Sequence, residues 1–219
     1  YNILKTKLKE TDNEQDVEEI EQQMDALRKK FVRIRSSDIS NVKNIIKAFG
    51  LQYVNAPGES DELCAYLSLN RKVYAVMSED MDMFVYGCPT IIRYFSMSKH
   101  NCVVYKVNNI MKELNILPIH FKQLCILSGT DYKKQKNKNI FSYHSKYFMF
   151  QRSDQECMFE FFNPNKEDEV TELKHIESMF NLTKNEHLEP YKDNISIKNE
   201  QINKDELKLI MEKDNFIFI

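Results

Sequence analysis

Three short acidic strings constrain the fold of this chain more than any other feature, because each one follows an apolar run. The strings are PGESDE (57–62), SEDMD (78–82) and SGTDY (128–132). Ligand sites in open α/β sheets lie beyond the carboxyl ends of the strands. We therefore single out five carboxylates at these element ends as candidate site residues: Glu59, Asp61, Asp80, Asp82 and Asp131.

Bringing these carboxylates together requires a counter-charge. Two like charges ~4 Å apart repel by about 4 kcal/mol at an effective dielectric constant of about 20. A hard cation relieves such repulsion, and Mg²⁺ prefers oxygen ligands. The alternative interpretation is that these acids are ordinary helix caps and turn residues.

The pattern of apolar residues predicts an α/β fold. The run KVYAVM (72–77) has the length of a strand and is typical of a strand buried on both faces of a parallel sheet. Further strands are predicted over 91–95 and 103–107, and helices over 14–31, 38–49, 59–69, 108–114 and 118–127. The alternation of strands and helices indicates a mostly parallel sheet with right-handed crossovers.

Local geometry decides whether paired acids can face one site. Asp80 and Asp82 follow the KVYAVM run, and in an extended segment residues i and i+2 point the same way. On a regular helix such residues diverge by about 200°. Glu59 and Asp61 at a helix start would therefore share a site only if the first turn is irregular or one acts through water.

The cysteines and the apolar runs indicate an intracellular protein outside membranes. Cys64, Cys88, Cys102, Cys125 and Cys157 form no C-x-x-C pair, so we expect reduced thiols. No apolar run approaches the ~18 residues of a membrane span. The chain begins with a tyrosine inside a charged segment, and we expect that it starts within a longer protein.

The residues from 55 to 95, NAPGESDELCAYLSLNRKVYAVMSEDMDMFVYGCPTIIRYF, and the later LCILSGTDY resemble the flap endonuclease/XPG family of structure-specific 5′ nucleases. That family shows A-P-x-E-A-E-A at a helix start, then a strand, S/T-E-D-x-D and later L-x-G-x-D-Y. The resemblance is specific over 51–132. It is weaker over 14–50, which is similar to the family's helical arch, and near NKDELKLIMEKDNF.

The resemblance implies a PIN-like α/β fold, a mostly parallel sheet flanked by helices, and a two-metal nuclease site. Glu59, Asp61, Asp80, Asp82 and Asp131 match carboxylates that hold two Mg²⁺ ions in the family, with Mn²⁺ as an alternative ion. Glu79 matches a residue adjacent to these ligands.

The chain departs from the family at several positions. Asp61 stands where the family usually has Glu, and Glu62 where it usually has Ala. In the family, two further aspartates lie upstream of the arch. The basic side chains that bind the scissile phosphate lie there as well. We expect an upstream segment to supply them.

A basic segment follows the last acidic string. Residues 132–153 contain six lysine and arginine residues and no acid, whereas residues 154–219 are strongly acidic. In the family this stretch holds a helix–hairpin–helix variant that grips duplex DNA, but here it has no glycine. We predict DNA contact through lysine side chains, with a solvated charge run as the alternative. The lysines are Lys133, Lys134, Lys136 and Lys138.

The string QECMFEFF (155–162) fits the pattern of sliding-clamp-binding peptides. Its anchor side chains would be Gln155, Met158, Phe161 and Phe162. The favoured alternative is a helix whose apolar side chains pack on the core, because short motifs match by chance.

Together these features predict a divalent-metal-dependent 5′ nuclease acting on flapped or branched DNA in replication or repair. The alternatives are a 5′→3′ exonuclease or PIN-like ribonuclease, and a catalytically inactive DNA-binding scaffold. We expect a monomer, located in the nucleus if cellular or at the site of DNA replication if viral. The predicted segments are an arch remnant (1–36), a nuclease core (37–131) and a DNA-clamping, helical extension (132–219).

Overall fold

The computed structural model describes residues 34–133, 140–182, 185–194 and 200–213, together with scattered earlier positions. Those earlier positions are Thr6, Leu8, Val17, Ile20, Glu21, Gln23 and Met24. The helix predicted over 14–31 lies largely outside the described residues. The chain divides into two compact units, one of Val54–Ser196 and one of Tyr1–Tyr53 with Ile197–Ile219.

The unit of residues 54–196 contains a small mixed sheet. Its strands are β1 (Val76–Met77), β2 (Thr90–Ser96) and β3 (Asn101–Lys106), in the order β1-β2-β3. Strand β1 runs parallel to β2 with Val76 opposite Ile91. Strands β2 and β3 form an antiparallel pair. The described sheet therefore has one parallel and one antiparallel pair.

Helix α1 (Ser36–Ala48) lies in the other unit. The described helices of this unit are α2 (Ser60–Leu69), α3 (Asp82–Tyr86), α4 (Val107–Glu113), α5 (Pro118–Ser128), α6 (Ile140–His144), α7 (Tyr147–Gln151), α8 (Met158–Phe162), α9 (Glu167–Met179) and α10 (Pro190–Asn194), with a 3₁₀ turn at Glu186–Leu188.

Helix α5 forms the centre of the core. Pro118 begins it, where a residue without an N–H is tolerated and its fixed φ suits the helix. Leu124 and Ile126 are fully buried, as are Met158 and Phe159 of α8. Burying each such side chain contributes about 1.5–3 kcal/mol, so α5 and α8 stabilise the scaffold behind the acidic strings.

The KVYAVM run differs from its prediction. Only Val76 and Met77 form a strand, and Met77 is 65% exposed. Tyr74 is 78% exposed, and its hydroxyl accepts a hydrogen bond from Lys106 Nζ at 3.2 Å. The prediction of a strand buried on both faces is therefore wrong for the described residues. A run of apolar residues shows that burial is possible, whereas the packing partners decide how much of it occurs.

The unit of residues 1–53 and 197–219 joins α1 to a C-terminal helix, α11 (Lys204–Lys213). Gly50 ends the turn after α1 with a φ of +70°, and a Cβ there would lie 2.1 Å from the Glu200 carbonyl oxygen. The Glu200 N–H donates to the Gly50 carbonyl at 2.9 Å. Only glycine allows the two backbones to approach this closely.

Across the described ranges of the chain, no helix is both long and apolar enough to cross a membrane.

Candidate active site

The structure brings all five predicted carboxylates to one small cavity of ≈ 140 Å³. Two tyrosines complete its lining. The lining residues are Glu59, Asp61, Asp80, Asp82, Tyr86, Asp131 and Tyr132. Side chains from three separate acidic strings therefore converge, as predicted from their positions at element ends.

A tight turn, and not an extended segment, places Asp80 and Asp82. The Asp82 N–H donates to Asp80 Oδ1 at 2.8 Å, and the Asp80 N–H donates to Ser78 Oγ at 3.0 Å. Met81 between them has helical dihedral angles, φ −76° and ψ −18°. The expectation of an extended segment is wrong, because aspartate and serine side chains bond to nearby backbone N–H groups and favour turns. Both carboxylates still reach the cavity.

Glu59 and Asp61 reach the cavity because Glu59 precedes helix α2. Glu59 is the N-cap residue, with extended dihedral angles of −72° and 138°, and Asp61 lies in the first helical turn. The divergence expected within a regular helix therefore does not apply. The helix N terminus also favours negative charge at both positions.

A second turn presents Asp131. Gly129 ends α5 with φ 115° and ψ 143°, a conformation that side-chain-bearing residues rarely adopt. Thr130 and Lys133 then exchange two backbone hydrogen bonds of 3.1 Å each. Asp131 therefore lies at the tip of a closed four-residue turn facing the other acids.

The cavity is strained electrostatically. Burial and the nearby Asp80 and Asp131 carboxylates raise the pKa of Asp82 to about 6, and a hydrogen bond from the Asp131 backbone opposes the rise. Burial and the charges of Asp80 and Glu59 also raise the pKa of Asp61. A cation in the cavity would remove this penalty, since a nearby positive charge favours the ionised form of each acid.

Two tyrosines of the cavity were not predicted. The Tyr132 hydroxyl donates to Glu59 Oε2 at 3.2 Å. Phe180 packs edge-on against both rings, 4.9 Å from Tyr86 and 5.6 Å from Tyr132 between ring centroids. Tyr132 directly follows Asp131, and Tyr86 lies one helical turn after Asp82, so adjacency and the helical period are the signals that could have found them.

Comparison with known proteins identifies the region that carries the cavity. Residues 50–131 match the XPG I-region. The predicted resemblance to the flap endonuclease/XPG family is thereby confirmed.

Curated relatives of the chain are flap endonucleases. The chain is 35% identical over 126 residues to flap endonuclease 1 of Glycine max, covering 56% of this chain and 31% of that protein. It is 31% identical over 115 residues to flap endonuclease 1 of Homo sapiens, covering 51% and 30%. The chain thus spans about a third of the length of the curated relatives it matches.

Solved structures share the fold. The chain aligns with flap endonuclease-1 from Methanococcus jannaschii at a TM-score of 0.56 and 19% identity, covering 89% of this chain and 66% of that one. It aligns with the catalytic core of Rad2 in complex with DNA substrate at 0.60 and 20%, covering 83% and 65%. Human GEN1 in complex with Holliday junction DNA aligns at 0.57 and 21%, covering 82% and 49%. The predicted PIN-like α/β class is confirmed.

The described side chains of this region do not form a complete set of metal ligands. In the part of the chain that the structure describes, no three His, Cys, Asp or Glu side chains are arranged to hold a metal ion. The donor chemistry nevertheless suits a hard cation, because every acid of the cavity offers carboxylate oxygens.

The basic segment after the XPG I-region is described in part. Lys133 forms an ion pair with Glu172 of α9. The other three predicted DNA-contacting lysines, Lys134, Lys136 and Lys138, lie outside the described residues. Contact of Lys133 with a phosphate would compete with its ion pair to Glu172.

The last five residues of the clamp-like string form helix α8, and Gln155 precedes the helix. Met158 is fully buried, Phe161 and Phe162 are partly buried against the core, and Gln155 is exposed. A Gln123 side-chain oxygen accepts a hydrogen bond from the Met158 N–H at 3.0 Å. Clamp binding through these anchors stays a prediction, and it would require α8 to leave the core.

Proposed function

We propose that this protein is a divalent-metal-dependent, structure-specific 5′ nuclease that hydrolyses phosphodiesters in flapped or branched DNA. One observation carries the proposal: five carboxylates from three separate strings of an XPG I-region line the same cavity. Ionising these acids without a counter-charge is costly, because burial and the neighbouring carboxylates raise the pKa of Asp82. Proteins retain such clusters where a cation binds or where chemistry needs them.

The residues proposed to hold the metal are the five cavity acids, with Mg²⁺ as the physiological ion and Mn²⁺ as a substitute. When bound, such ions supply Lewis-acid stabilisation of the charge that develops on the phosphodiester oxygens. Family members take further ligands from a segment upstream of the arch. We propose that the full-length protein supplies these ligands as well.

The chain's own residues prepare the cavity for this role. Tyr132 holds the Glu59 carboxylate in one orientation through its hydroxyl. The hydrogen bond from the Asp82 N–H fixes the Asp80 carboxylate. Asp61 is one methylene shorter than the usual glutamate, so we propose that it acts at longer range, through water.

Duplex DNA is the proposed partner. The aligned Rad2 and GEN1 structures are complexes with DNA. In this chain the six basic residues of 132–153 immediately follow Asp131, and no acid lies among them. Lysine side chains beside a cluster of carboxylates would hold phosphates near acids that otherwise repel DNA. We propose that Lys133, Lys134, Lys136 and Lys138 make this contact.

A cleavage assay tests the proposed activity. Full-length protein with Mg²⁺ is mixed with a labelled 5′-flap substrate, a nicked duplex and single-stranded RNA, beside Asp80→Asn and the control Asp168→Asn on the exposed start of α9. We expect flap cleavage that falls by about 10²–10³-fold in Asp80→Asn, because a group that stabilises transition-state charge is removed. The control should cleave normally.

Other outcomes separate the alternatives. Cleavage of RNA alone would indicate a PIN-like ribonuclease, and trimming of the nicked duplex alone would indicate an exonuclease. No metal-dependent cleavage of any substrate would contradict the nuclease proposal and favour a DNA-binding scaffold.

A further inference from the structure

A buried arginine contacts the turn that carries two of the cavity acids. Arg93 lies on β2 and is 9% exposed. Its Nη2 donates to the Glu79 carbonyl oxygen at 2.7 Å, and its Nη1 contacts Met81 Sδ. Its Nε lies 3.5 Å from Glu79 Oε2. These three contacts all fall between Ser78 and Asp82, on both sides of Asp80.

The strand that carries Arg93 is distorted at the next residue. The register of β2 with β3 shifts between Arg93 and Ser96, and Tyr94 has a φ of 54°. Bulky residues rarely adopt positive φ, so this conformation needs support from its surroundings. The Tyr94 N–H donates to Glu79 Oε1 at 2.6 Å, which provides that support.

The turn and the strand therefore hold each other. The Glu79 side chain reaches Tyr94 on β2, while Arg93 on β2 reaches the backbone of Glu79. A buried guanidinium is strongly destabilising when its partners are removed. The turn cannot move away without leaving that charge unpaired, which restricts the 78–82 segment to one conformation.

The geometry of the guanidinium matters as much as its charge. Arginine presents several N–H donors in a rigid planar fork, whereas lysine carries one compact ammonium on a flexible chain. Here different nitrogens of one group meet the Glu79 carbonyl, the Glu79 carboxylate and Met81. A lysine would keep the charge but could not span these contacts.

We propose that Arg93 is a positioning residue that holds the 78–82 turn in the conformation presenting Asp80 and Asp82 to the cavity. The role rests on the proposed metal-dependent function of those two acids. Arg93 itself acts through the turn, by its contacts with Glu79 and Met81. Its guanidinium also lies over the Tyr94 ring, 4.9 Å from the ring centroid. A positive charge alone is not sufficient for the role, because the planar guanidinium makes several contacts at once.

Hydrogen exchange on the metal-free, full-length protein tests the positioning role directly. The variants are Arg93→Met and Arg93→Lys, with Arg71→Met as a matched control at an exposed arginine. We expect the backbone amides of 78–82 to exchange at least about tenfold faster in both Arg93 variants, because local opening becomes easier. Amides of α5 should keep their wild-type rates, and Arg71→Met should change nothing.

Calorimetric titration with Mn²⁺ then links the turn to metal binding. We expect Arg93→Met to bind Mn²⁺ at least about tenfold more weakly than wild type, the usual range for losing a group that orients metal ligands. Arg93→Lys should bind as weakly as Arg93→Met. Rescue of binding by Arg93→Lys would show that charge alone suffices and would overturn the proposal.

The two proposals fail in different ways. Unchanged exchange of 78–82 in Arg93→Met overturns the positioning role, and so does faster exchange spread evenly through the protein, which would indicate a general folding role. A wild-type protein that binds no Mn²⁺ and cleaves no substrate contradicts the proposed function, while localised exchange changes would still show that Arg93 anchors the turn.

Discussion

The carboxylate cavity and the helices after the basic segment differ in the side chains that they bring together. The cavity gathers like charges at element ends. Burial, together with the Asp80 and Asp131 charges, raises the pKa of its Asp82 to about 6. Helix α8 instead buries apolar side chains, with Met158 and Phe159 fully inside the core. The cavity lowers the stability of the fold and provides the groups for chemistry. The buried side chains of α8 contribute the stability that offsets this cost.

The largest stability effect should come from the helical region. Phe159→Ala removes a fully buried aromatic side chain, and we expect the free energy of unfolding to fall by about 3–5 kcal/mol. Urea titration measures the change. Phe148→Ala, at a position 58% exposed, should cost far less. Similar losses of stability at both positions would contradict the description of α8 as core.

Replacing an acid of the cavity should have the opposite effect and increase the free energy of unfolding. The pKa of Asp82 rises from 3.8 to about 6 on folding, so the folded state binds this proton more tightly than the unfolded state. Stability should be greatest below about pH 4 for this group and should fall as the pH rises through about 6. Allowing for solvent screening, Asp82→Asn should gain about 1–2 kcal/mol at pH 7.

Thermal or urea unfolding between pH 4 and pH 7 measures this effect, with Asp168→Asn as the control. The wild-type decline across this range should be shallower in Asp82→Asn and unchanged in the control. If Asp82→Asn is instead less stable than wild type at pH 7, favourable contacts of the ionised Asp82 outweigh the repulsion, and the cavity is not electrostatically strained.

Substitutions in the basic segment should have the smallest effect per residue, and the affected property is duplex binding. Replacing Lys133, Lys134, Lys136 and Lys138 with glutamine should weaken duplex binding and flatten its salt dependence by about 0.9 for each phosphate that is no longer neutralised. Fluorescence anisotropy across a salt series measures both quantities. Glutamine at Lys166, Lys174, Lys204 and Lys208 in the acidic part should leave them unchanged. Equal salt slopes for wild type and the first variant would mean that the segment is a solvated charge run.

The cavity could be predicted from the sequence because ligand sites in α/β sheets lie beyond the carboxyl ends of the strands, and the acids follow apolar runs. Glycine and apolar runs mark those ends, so Asp131 after Gly129 and Glu59 before α2 could be placed together without side-chain detail. The pattern did not predict the turn at Asp80, because a short hydrogen bond to a backbone N–H competes with the extended conformation.

Features that depend on distant partners were also beyond the pattern. The length of β1 depends on which strands pair with it, and the described pairing is with β2 alone. Arg93 interrupts the apolar run TIIRYF, which is an unusual place for a charge, but its partners lie 12–14 residues away along the chain. Only the fold shows what such a residue contacts.

The most direct test of the central claim is the metal dependence of flap cleavage by the full-length protein. After removal of divalent ions by a chelator, cleavage should be lost, and added Mg²⁺ should restore it to wild-type protein but not to Asp80→Asn. A cooperative unfolding transition of Asp80→Asn serves as proof that this variant is folded. Cleavage that persists in the chelator, or that Asp80→Asn retains in full, would contradict a metal-dependent nuclease site built from these carboxylates.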